Sequence, residues 1–274
     1  MFDFTTLESA LTGTTFAGKL HFSAATDSTN TDAMNAARAG APHGSVYFAD
    51  EQLAGRGRGG NAWLSAAGEG LYVSVLLRPQ LPLMRVPLLS LAAGLAAADA
   101  VRAVSGLIVD LRWPNDILIG PRKAGGILVE AHTEDRRLAY AVVGIGINVH
   151  QREFTPNLAT AATSLDLEAG VPGDRSSSLG SEANRRISRQ QLLVALLKSL
   201  EREALALHDP TAGVDVPARV EQASSWVRGR TVQVHGPQAC TGVTAGLDEN
   251  GFLLVQTTAG TVTVQTGGIR EGSF

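Results

Sequence analysis

The sequence predicts an α/β (α+β) protein, in which a mixed sheet with helices is followed by a small carboxyl-terminal β-barrel. Two observations predict this fold. Between residues 28 and 207, strand-like runs alternate with segments of helical spacing. From Trp226 onward, short apolar runs are separated by turn-forming residues such as Gly236-Pro237. We therefore expect a first domain over residues 1–224 and a β-barrel domain over residues 225–274.

The first elements follow from local signals. Residues 29–32 have the Ser/Thr-x-x-Asp/Glu shape of a helix start, so a helix should begin at Ser28 or Thr29 and stop at Gly40. Apolar runs of strand length predict strands at residues 46–49, 71–77 and 107–112.

The longest apolar stretch, residues 86–101, is interrupted by Pro87 and Asp99. A membrane span needs about 20 nearly uncharged residues. The stretch therefore predicts a buried helix in a soluble protein that has no membrane partner.

The second half continues the pattern. Further strands of the sheet are predicted at residues 127–130 and 141–145. Residues 166–186 are rich in Ser, Gly, Asp and Arg, which predicts a mobile loop. Ser188 then caps a predicted helix that runs to about Leu207. The predicted barrel strands are residues 231–234, 242–245, 252–255 and 261–264.

Composition narrows the class of protein. The formal net charge of −3 over 274 residues argues against nonspecific nucleic-acid binding, which needs a basic face. A single cysteine, Cys240, excludes an internal disulfide framework and a multi-cysteine metal site. Residues 1–13 carry no secretory signal pattern. These features predict a cytoplasmic protein.

The most informative stretch is residues 55–60, Gly-Arg-Gly-Arg-Gly-Gly. Glycine permits close approach of the backbone to a ligand, and arginine offers planar donors to phosphate or carboxylate. The string also matches Gly-x-Gly-x-x-Gly, but a strand follows it rather than the helix that dinucleotide binding needs. An anion-binding loop is the functional interpretation, and a solvated surface loop is the alternative.

Ser28-Thr29-Asn30 lies at the predicted helix start. It is either a helix cap or a set of polar groups that can bind a neutral ligand such as a cyclic urea.

Trp113-Pro114-Asn115-Asp116 is sharper, because proline restricts the residue before it and ends strand pairing. Asn115 and Asp116 are then expected on a turn. Such a carboxylate suits Mg²⁺, which binds through one or two carboxylates plus substrate phosphates. An ordinary Asn-Asp turn is the alternative.

Two glycine motifs complete the set. Lys123, one of three lysines against twenty arginines, precedes Gly125 and Gly126 and indicates a site for a compact charge, or else a surface lysine. Gly144 and Gly146 alternate along a strand, which suggests that a group packs closely on the backbone. Asn148 is then a phosphate, metal-water or base contact, or a turn residue.

Taken in order, these five motifs strongly resemble those of the biotin protein ligases. The resemblance covers residues 28–149 by motif. It implies a catalytic domain related to class II aminoacyl-tRNA synthetases and a Src-homology-3-like barrel. It also implies a reaction in which biotin and ATP form biotinyl-5′-adenylate, whose biotinyl group passes to a lysine of a biotin carboxyl carrier domain.

The resemblance implies roles residue by residue. Catalytic roles fall to Lys123, Arg58 and Asp116, with Asp116 also near Mg²⁺. The implied biotin contacts are Ser28, Thr29, Asn30, Gln52, Gly55, Arg56, Arg58, Lys123 and Gly126. The implied ATP and adenylate contacts are Arg56, Arg58, Trp63, Trp113, Asn115, Asp116, Lys123, Gly144, Gly146 and Asn148.

The chain departs from the family pattern in two ways. Gly59, Gly60 and Asn61 stand where relatives carry further basic residues, so phosphate grip there is expected to be weaker or the loop looser. Only 27 residues precede Ser28, so a winged helix-turn-helix and DNA binding are not expected. Family members can pair through their sheets, so a homodimer is possible. The competing functions are a lipoate or octanoate ligase and a non-catalytic biotin-binding regulator.

Overall fold

The computed structural model describes residues 2–156, 158–171, 186–208 and 215–272. The helices of these residues are α1 (Phe4–Leu11), α2 (Thr29–Arg38), α3 (Leu88–Ser105), α4 (Leu165–Glu168), α5 (Arg189–His208) and α6 (Val216–Ala223). Their strands are β1 (Leu20–Thr26), β2 (Val46–Gln52), β3 (Gly70–Leu77), β4 (Asp110–Arg112), β5 (Asp116–Ile119), β6 (Arg122–Glu134), β7 (Arg137–Asn148), β8 (Arg228–His235), β9 (Cys240–Leu247), β10 (Leu253–Thr257), β11 (Gly260–Val264) and β12 (Gly268–Glu271). This mixture of helices and sheets confirms the predicted fold class.

The first domain is built on a seven-stranded sheet in the order β1-β2-β3-β7-β6-β5-β4. The β1–β2 pair is parallel, and the other pairs are antiparallel. All eight residues of β3 are buried, because this strand lies in the interior of the sheet with helices nearby. The sheet is mixed, as predicted.

The two faces of the sheet carry different partners, since successive side chains of a strand point to opposite sides. On β3, Val73 and Val75 belong to the main apolar cluster together with α3 and α5. Leu76 belongs instead to a smaller cluster with Ala33 and Ala37 of α2. Helix α2 therefore covers part of one face, while α3 and α5 cover the other.

Helix α3 is a core helix. The segment Leu83–Ser105 is long and apolar enough by composition to cross a membrane, yet 61% of its most apolar window is buried inside the molecule. It packs against α5, α6 and the sheet. This agrees with the buried helix that the sequence predicts.

The carboxyl-terminal domain is an antiparallel sheet in the order β11-β10-β9-β8-β12. Its inward-facing side chains, such as Val232 and Val255, join the same apolar cluster as the first domain. Trp113 Nε1 donates a hydrogen bond to the Gly251 carbonyl, 3.0 Å away, across the junction. The two domains therefore share one continuous core.

Several predicted elements lie where the sequence indicates. Helix α2 begins after Ser28 and α5 begins after Ser188, whose hydroxyl accepts a hydrogen bond from Gln191 N. The leucines predicted to form the apolar stripe of α5 are all buried: Leu192, Leu193, Leu196, Leu197, Leu200 and Leu207. Helical periodicity is a strong signal in so long a helix.

Other elements were not predicted. Edge strand β1 has an irregular burial pattern, so strict alternation is absent. Strand β12 has only four residues, and α1 and α6 have eight each. Short elements carry too few periods for their pattern to be recognised.

Two predictions need correction. Residues 166–168 belong to α4 rather than to a loop, and residues 172–185 of the predicted mobile loop lie outside the described residues. Asp116 begins β5 instead of lying on a turn, because it pairs with Arg112 of β4 in a hairpin.

Candidate active site

A cleft of about 470 Å³ opens on the face of the large sheet that α2 partly covers. Twelve of the residues indicated by the sequence line it: Ser28, Thr29, Asn30, Gln52, Arg56, Arg58, Trp63, Asn115, Lys123, Gly126, Gly144 and Gly146. Five further residues border the cleft: Tyr72, Val73, Ile127, Leu128 and Ile145. The side chains of Val73, Ile127 and Ile145 belong to the core on the opposite face of the sheet, so Tyr72 and Leu128 are the two that present apolar side chains on the cleft face. All five motifs therefore meet at one site.

The floor of the cleft consists of glycines on β7. A Cβ on Gly144 would lie 2.0 Å from Asn30 Oδ1, and a Cβ on Gly146 would lie 2.6 Å from Trp63 Nε1. Only glycine lets Asn30 and Trp63 lie directly on the strand. The close packing that the sequence predicts is therefore made by side chains of the protein itself.

The polar end of the cleft consists of Ser28, Thr29, Asn30 and Gln52, and hydrogen bonds hold most of it in place. Ser74 Oγ donates to Asn30 Oδ1 at 2.6 Å and lies 2.7 Å from Thr29 Oγ1. The backbone N–H of Thr29 donates to Gln52 Oε1 at 2.9 Å. These contacts fix uncharged polar groups at one end of the cleft.

The structure distinguishes the two roles predicted for Ser28, a helix cap and a contact with a ligand. It is the N-cap residue of α2, but its side chain makes no capping hydrogen bond. It is buried and lines the cleft. Its hydroxyl is therefore placed to contact a ligand.

The cationic end of the cleft consists of Arg58 and Lys123. Lys123 Nζ lies 2.5 Å from Asp116 Oδ1. The other oxygen, Asp116 Oδ2, accepts hydrogen bonds from Arg112 Nη2 at 2.6 Å and from Arg112 Nε at 3.0 Å. One carboxylate thus holds two cations, and only Lys123 of the three groups lines the cleft.

Glu130 joins Arg56 to the polar end. Its Oε2 lies 2.6 Å from Arg56 Nη2 and accepts a hydrogen bond from Asn30 Nδ2 at 2.8 Å. The Arg56 guanidinium therefore lies beside Asn30, and the two side chains share one acceptor atom.

Arg58 reaches the second domain. Its Nη2 donates to Thr266 Oγ1 at 3.1 Å, and its Nη1 donates to the Gly267 carbonyl. Burial lowers the pKa of the Arg58 guanidinium, and the negative charge of Asp116 offsets part of this effect. The glycine-rich loop is thus fastened to the segment between β11 and β12.

Gly59, Gly60 and Asn61, at the positions where relatives are expected to carry basic residues, form a tight turn. Gly59 and Gly60 have φ values of 67° and 80°, the left-handed region that glycine adopts easily. Asn61 Nδ2 donates to the Arg58 carbonyl at 2.7 Å, and Asn61 O accepts from Gly57 N at 2.7 Å. The three residues that depart from the family pattern therefore order the turn.

Comparison with known proteins assigns the chain. The model of the Biotin/lipoate A/B protein ligase family matches residues 22–148. The biotin–[acetyl-CoA-carboxylase] ligase of Mycobacterium tuberculosis is 34% identical over 255 residues, which cover 90% of this chain and 86% of that protein. The chain belongs to the biotin protein ligase family.

Other members differ in length. The bifunctional ligase/repressor BirA of Bacillus subtilis is 42% identical over 150 residues, or 54% of this chain and 46% of that protein. The chain thus spans about half the length of that relative. The biotin protein ligase of Aquifex aeolicus, solved in complex with biotin and ATP, has a TM-score of 0.73 at 28% identity and is covered over 98% of its chain, with 92% of this one.

Four residues of the family motifs do not line the cleft as described. Trp113 is buried at the junction of the domains, where its Nε1 donates to the Gly251 carbonyl. Asn148 is buried and donates to the Thr163 carbonyl at 3.0 Å. Gly55 lies so close to the Trp63 carbonyl that a Cβ would be 2.3 Å from it. The fourth residue is Asp116, which pairs with Lys123 and does not itself line the cleft.

These placements suit residues that support the site, and the ligand contacts that the resemblance implies for them stay predictions. Asn148 and Lys123 are both bonded to the same short segment, because Lys123 O accepts from Thr163 N at 2.9 Å. Asn115 does line the cleft, although its Nδ2 already donates a hydrogen bond to the Ile127 carbonyl.

Sequence reasoning missed three side chains. Ser74 is the single polar residue in the otherwise apolar run 73–77, and this exception could have indicated a functional side chain. Glu130 lies four residues after Gly126, and nothing in the local sequence indicates that it pairs with Arg56. Arg112 directly precedes the Trp113 motif, and only the β4–β5 hairpin reveals that it faces Asp116.

Asp116 is a poor match for the expected Mg²⁺ ligand, because both its oxygens already accept hydrogen bonds or ion pairs from cations. The described residues contain no group of three or more His, Cys, Asp or Glu side chains that could hold a metal ion. The described residues therefore do not form a carboxylate site for Mg²⁺, and no step of the reaction is assigned to the metal.

Proposed function

We propose that this chain is a biotin protein ligase, which activates biotin with ATP and transfers the biotinyl group to a lysine of a biotin carboxyl carrier domain. The observation that carries the proposal is the polarity of the cleft. Uncharged polar groups lie at one end, where Asn30 packs on Gly144. Lys123 lies at the other end, and the Trp63 ring on Gly146 lies between them. Biotin has the matching order: a neutral cyclic urea, an aliphatic chain and a carboxylate.

The polar end disfavours a lipoate ligase. A dithiolane ring would cover the buried Ser28 hydroxyl without offering it a hydrogen bond, which costs free energy at a buried polar group. A urea offers both a carbonyl acceptor and N–H donors. Ser28, whose hydroxyl makes no capping bond, is the first candidate for a contact with it.

The first step joins two anions, so charge neutralisation is the main requirement. A carboxylic acid of pKa about 4 to 5 is already ionised at neutral pH, so no general base is needed. A carboxylate oxygen of biotin attacks the α-phosphorus of ATP, and the bond to the pyrophosphate oxygen breaks. Lys123 and Arg58 at the cationic end, together with Arg56, offset the developing charge.

The adenylate must then be kept from water, because it is a mixed anhydride. The loop 55–61 contributes Arg56, Gly57 and Arg58 to the lining of the cleft and is fastened to the second domain by Arg58. Exclusion of water in this way protects reactive intermediates. The ordered turn at Gly59, Gly60 and Asn61 serves this function in place of further positive charge.

In the second step, the neutral amine of the carrier lysine attacks the acyl carbonyl, an amide forms and AMP leaves. Asp116 is an unsuitable base for this amine, since Arg112 and Lys123 occupy its oxygens and it lies behind the cleft. Its role is to position Lys123. The amine proton leaves to the departing phosphate or to solvent.

The acceptor is inferred from relatives. Curated ligases of Mycobacterium tuberculosis and Paracoccus denitrificans are named for acetyl-CoA carboxylase, which favours a carboxylase carrier domain as the partner. A cytoplasmic location accords with the single cysteine. A homodimer and the lack of DNA binding stay predictions.

The proposal is tested by intact mass. The chain is incubated with biotin, ATP, Mg²⁺ and the carrier domain of acetyl-CoA carboxylase, and we expect the carrier to gain the mass of one biotinyl group. Parallel reactions replace biotin by lipoate or by octanoate. Modification by lipoate alone, or ATP-independent binding of biotin without modification, would refute the proposal in favour of an acyl ligase or a regulator.

A further inference from the structure

Trp226 stands at the junction between the two domains and touches two guanidinium groups. The Arg112 guanidinium carbon lies 5.1 Å from the centroid of the Trp226 ring, and that of Arg230 lies 4.1 Å from it. Trp226 is buried, with 7% of its surface exposed. Cation–aromatic contacts are strongest when they are shielded from water.

The segment before Trp226 is bonded to the edge of the large sheet. Ser225 N and Oγ donate to the two Asp110 oxygens at 2.8 and 2.6 Å. Ser224 Oγ donates to the Leu111 carbonyl. The indole ring is therefore held in a fixed position relative to β4, the strand that ends with Arg112.

Arg112 connects the Trp226 ring to the cleft through Asp116. It directs Nε and Nη2 at one oxygen of Asp116, which leaves the other oxygen to Lys123 at 2.5 Å. The side chain of Arg112 is only 10% exposed and that of Asp116 only 15% exposed, so water competes weakly for these contacts. A single chain of contacts runs from Trp226 to Lys123.

We propose that Trp226 is a positioning residue for the reaction, which holds Lys123 at the reacting carboxylate by fixing the plane of Arg112. This inference rests on the proposed function, because it concerns the adenylation step. The carboxyl-terminal domain then contributes to catalysis without touching the substrate. Arg112 Nη2 also donates to Thr160 Oγ1 at 2.8 Å. Loss of the ring face leaves these hydrogen bonds to set the plane of Arg112 alone, so the geometry of Asp116 and Lys123 becomes less precise.

The expected signature is a change in turnover without a change in biotin binding. The polar end of the cleft contacts neither Trp226 nor Arg112 in the bonds described above. In biotin-dependent ATP–pyrophosphate exchange, Trp226→Leu should lower kcat about tenfold, the factor expected for a cation–aromatic contact of intermediate strength. The KM for biotin should stay within about twofold of the wild-type value, because the affinity of the head group is unaltered.

A conservative variant separates ring chemistry from packing. Trp226→Phe keeps an aromatic face and should retain kcat within about threefold of the wild-type value, whereas leucine supplies apolar bulk alone. Val255→Ala, a buried position on β10, serves as the control for destabilisation and should lower the melting temperature without lowering kcat at 25 °C. Equal kcat values for the Phe and Leu variants would overturn the inference.

A double-mutant cycle tests the route through Arg112. In the Arg112→Gln background, Trp226→Leu should have little further effect on kcat, because the intermediate group is already lost. Additive losses would show that Trp226 acts only through general stability and would overturn the inference. A wild-type protein without biotin-dependent exchange would instead contradict the proposed function, so the two failures are distinguishable.

Discussion

Gly144→Ala gives the sharpest test of how the polar end is built. The new Cβ would lie 2.0 Å from Asn30 Oδ1, whereas ordinary contacts begin at 3.4 Å. Asn30 would therefore have to retreat by roughly 1.4 Å, because the central strand β7 cannot yield easily in a close-packed sheet. Such a shift breaks its bonds to Ser74 and Glu130, now 2.6 and 2.8 Å long.

The magnitude follows from these two bonds. A neutral hydrogen bond contributes about 1 kcal/mol, and a bond to a charged group contributes about 1.5–3 kcal/mol. The free energy of unfolding should fall by about 2–4 kcal/mol, measured by urea denaturation. Displacement of Asn30 should also raise the Kd for biotin by at least about tenfold, measured by calorimetry.

The control is Gly268→Ala on β12, where an added Cβ meets nothing within 4 Å. It should leave both the stability and the affinity for biotin unchanged. Wild-type stability in Gly144→Ala would refute the packing of Asn30 on β7. A loss of stability with unchanged biotin affinity would refute the role of the polar end in binding the head group.

Two further predictions concern the cationic end. Lys123→Ala should slow biotin-dependent pyrophosphate exchange by about two orders of magnitude or more, since Lys123 neutralises charge in the transition state. The melting temperature should change little. Exchange near the wild-type rate would show that Lys123 takes no part in the reaction. Arg58→Ala should shorten the lifetime of the bound adenylate in a chase experiment, because the loop loses its bonds to Thr266 and Gly267, and an unchanged lifetime with unchanged transfer would contradict the role of the loop as a cover.

The sequence predicted most of the first domain and its site because the relevant signals are local. A helix start at Ser28 and a leucine stripe after Ser188 are each encoded within a few turns of chain. Functional motifs are equally local, so their order was sufficient to indicate the family. Short or edge elements such as β1 and β12 escaped, since their stability comes from partners distant in sequence.

The residues predicted from resemblance divide into two groups. Thr29, Asn30 and Lys123 line the cleft, as expected for direct contacts. Trp113 and Asn148 belong to the same motifs but are buried behind it. A motif records which residues act together, but it does not distinguish a contact with ligand from support behind it.

The sequence by itself determined the fold class, the family and most of the side chains that converge on the cleft, because these depend on local patterns and on motifs. The tertiary structure decided which partner each side chain takes. Asp116 became the acceptor of two cations, Arg58 was fastened to the second domain, and Trp226 was placed over Arg112. The physical reason is that electrostatic and aromatic contacts depend on distances of a few ångströms between strands that lie far apart in the chain.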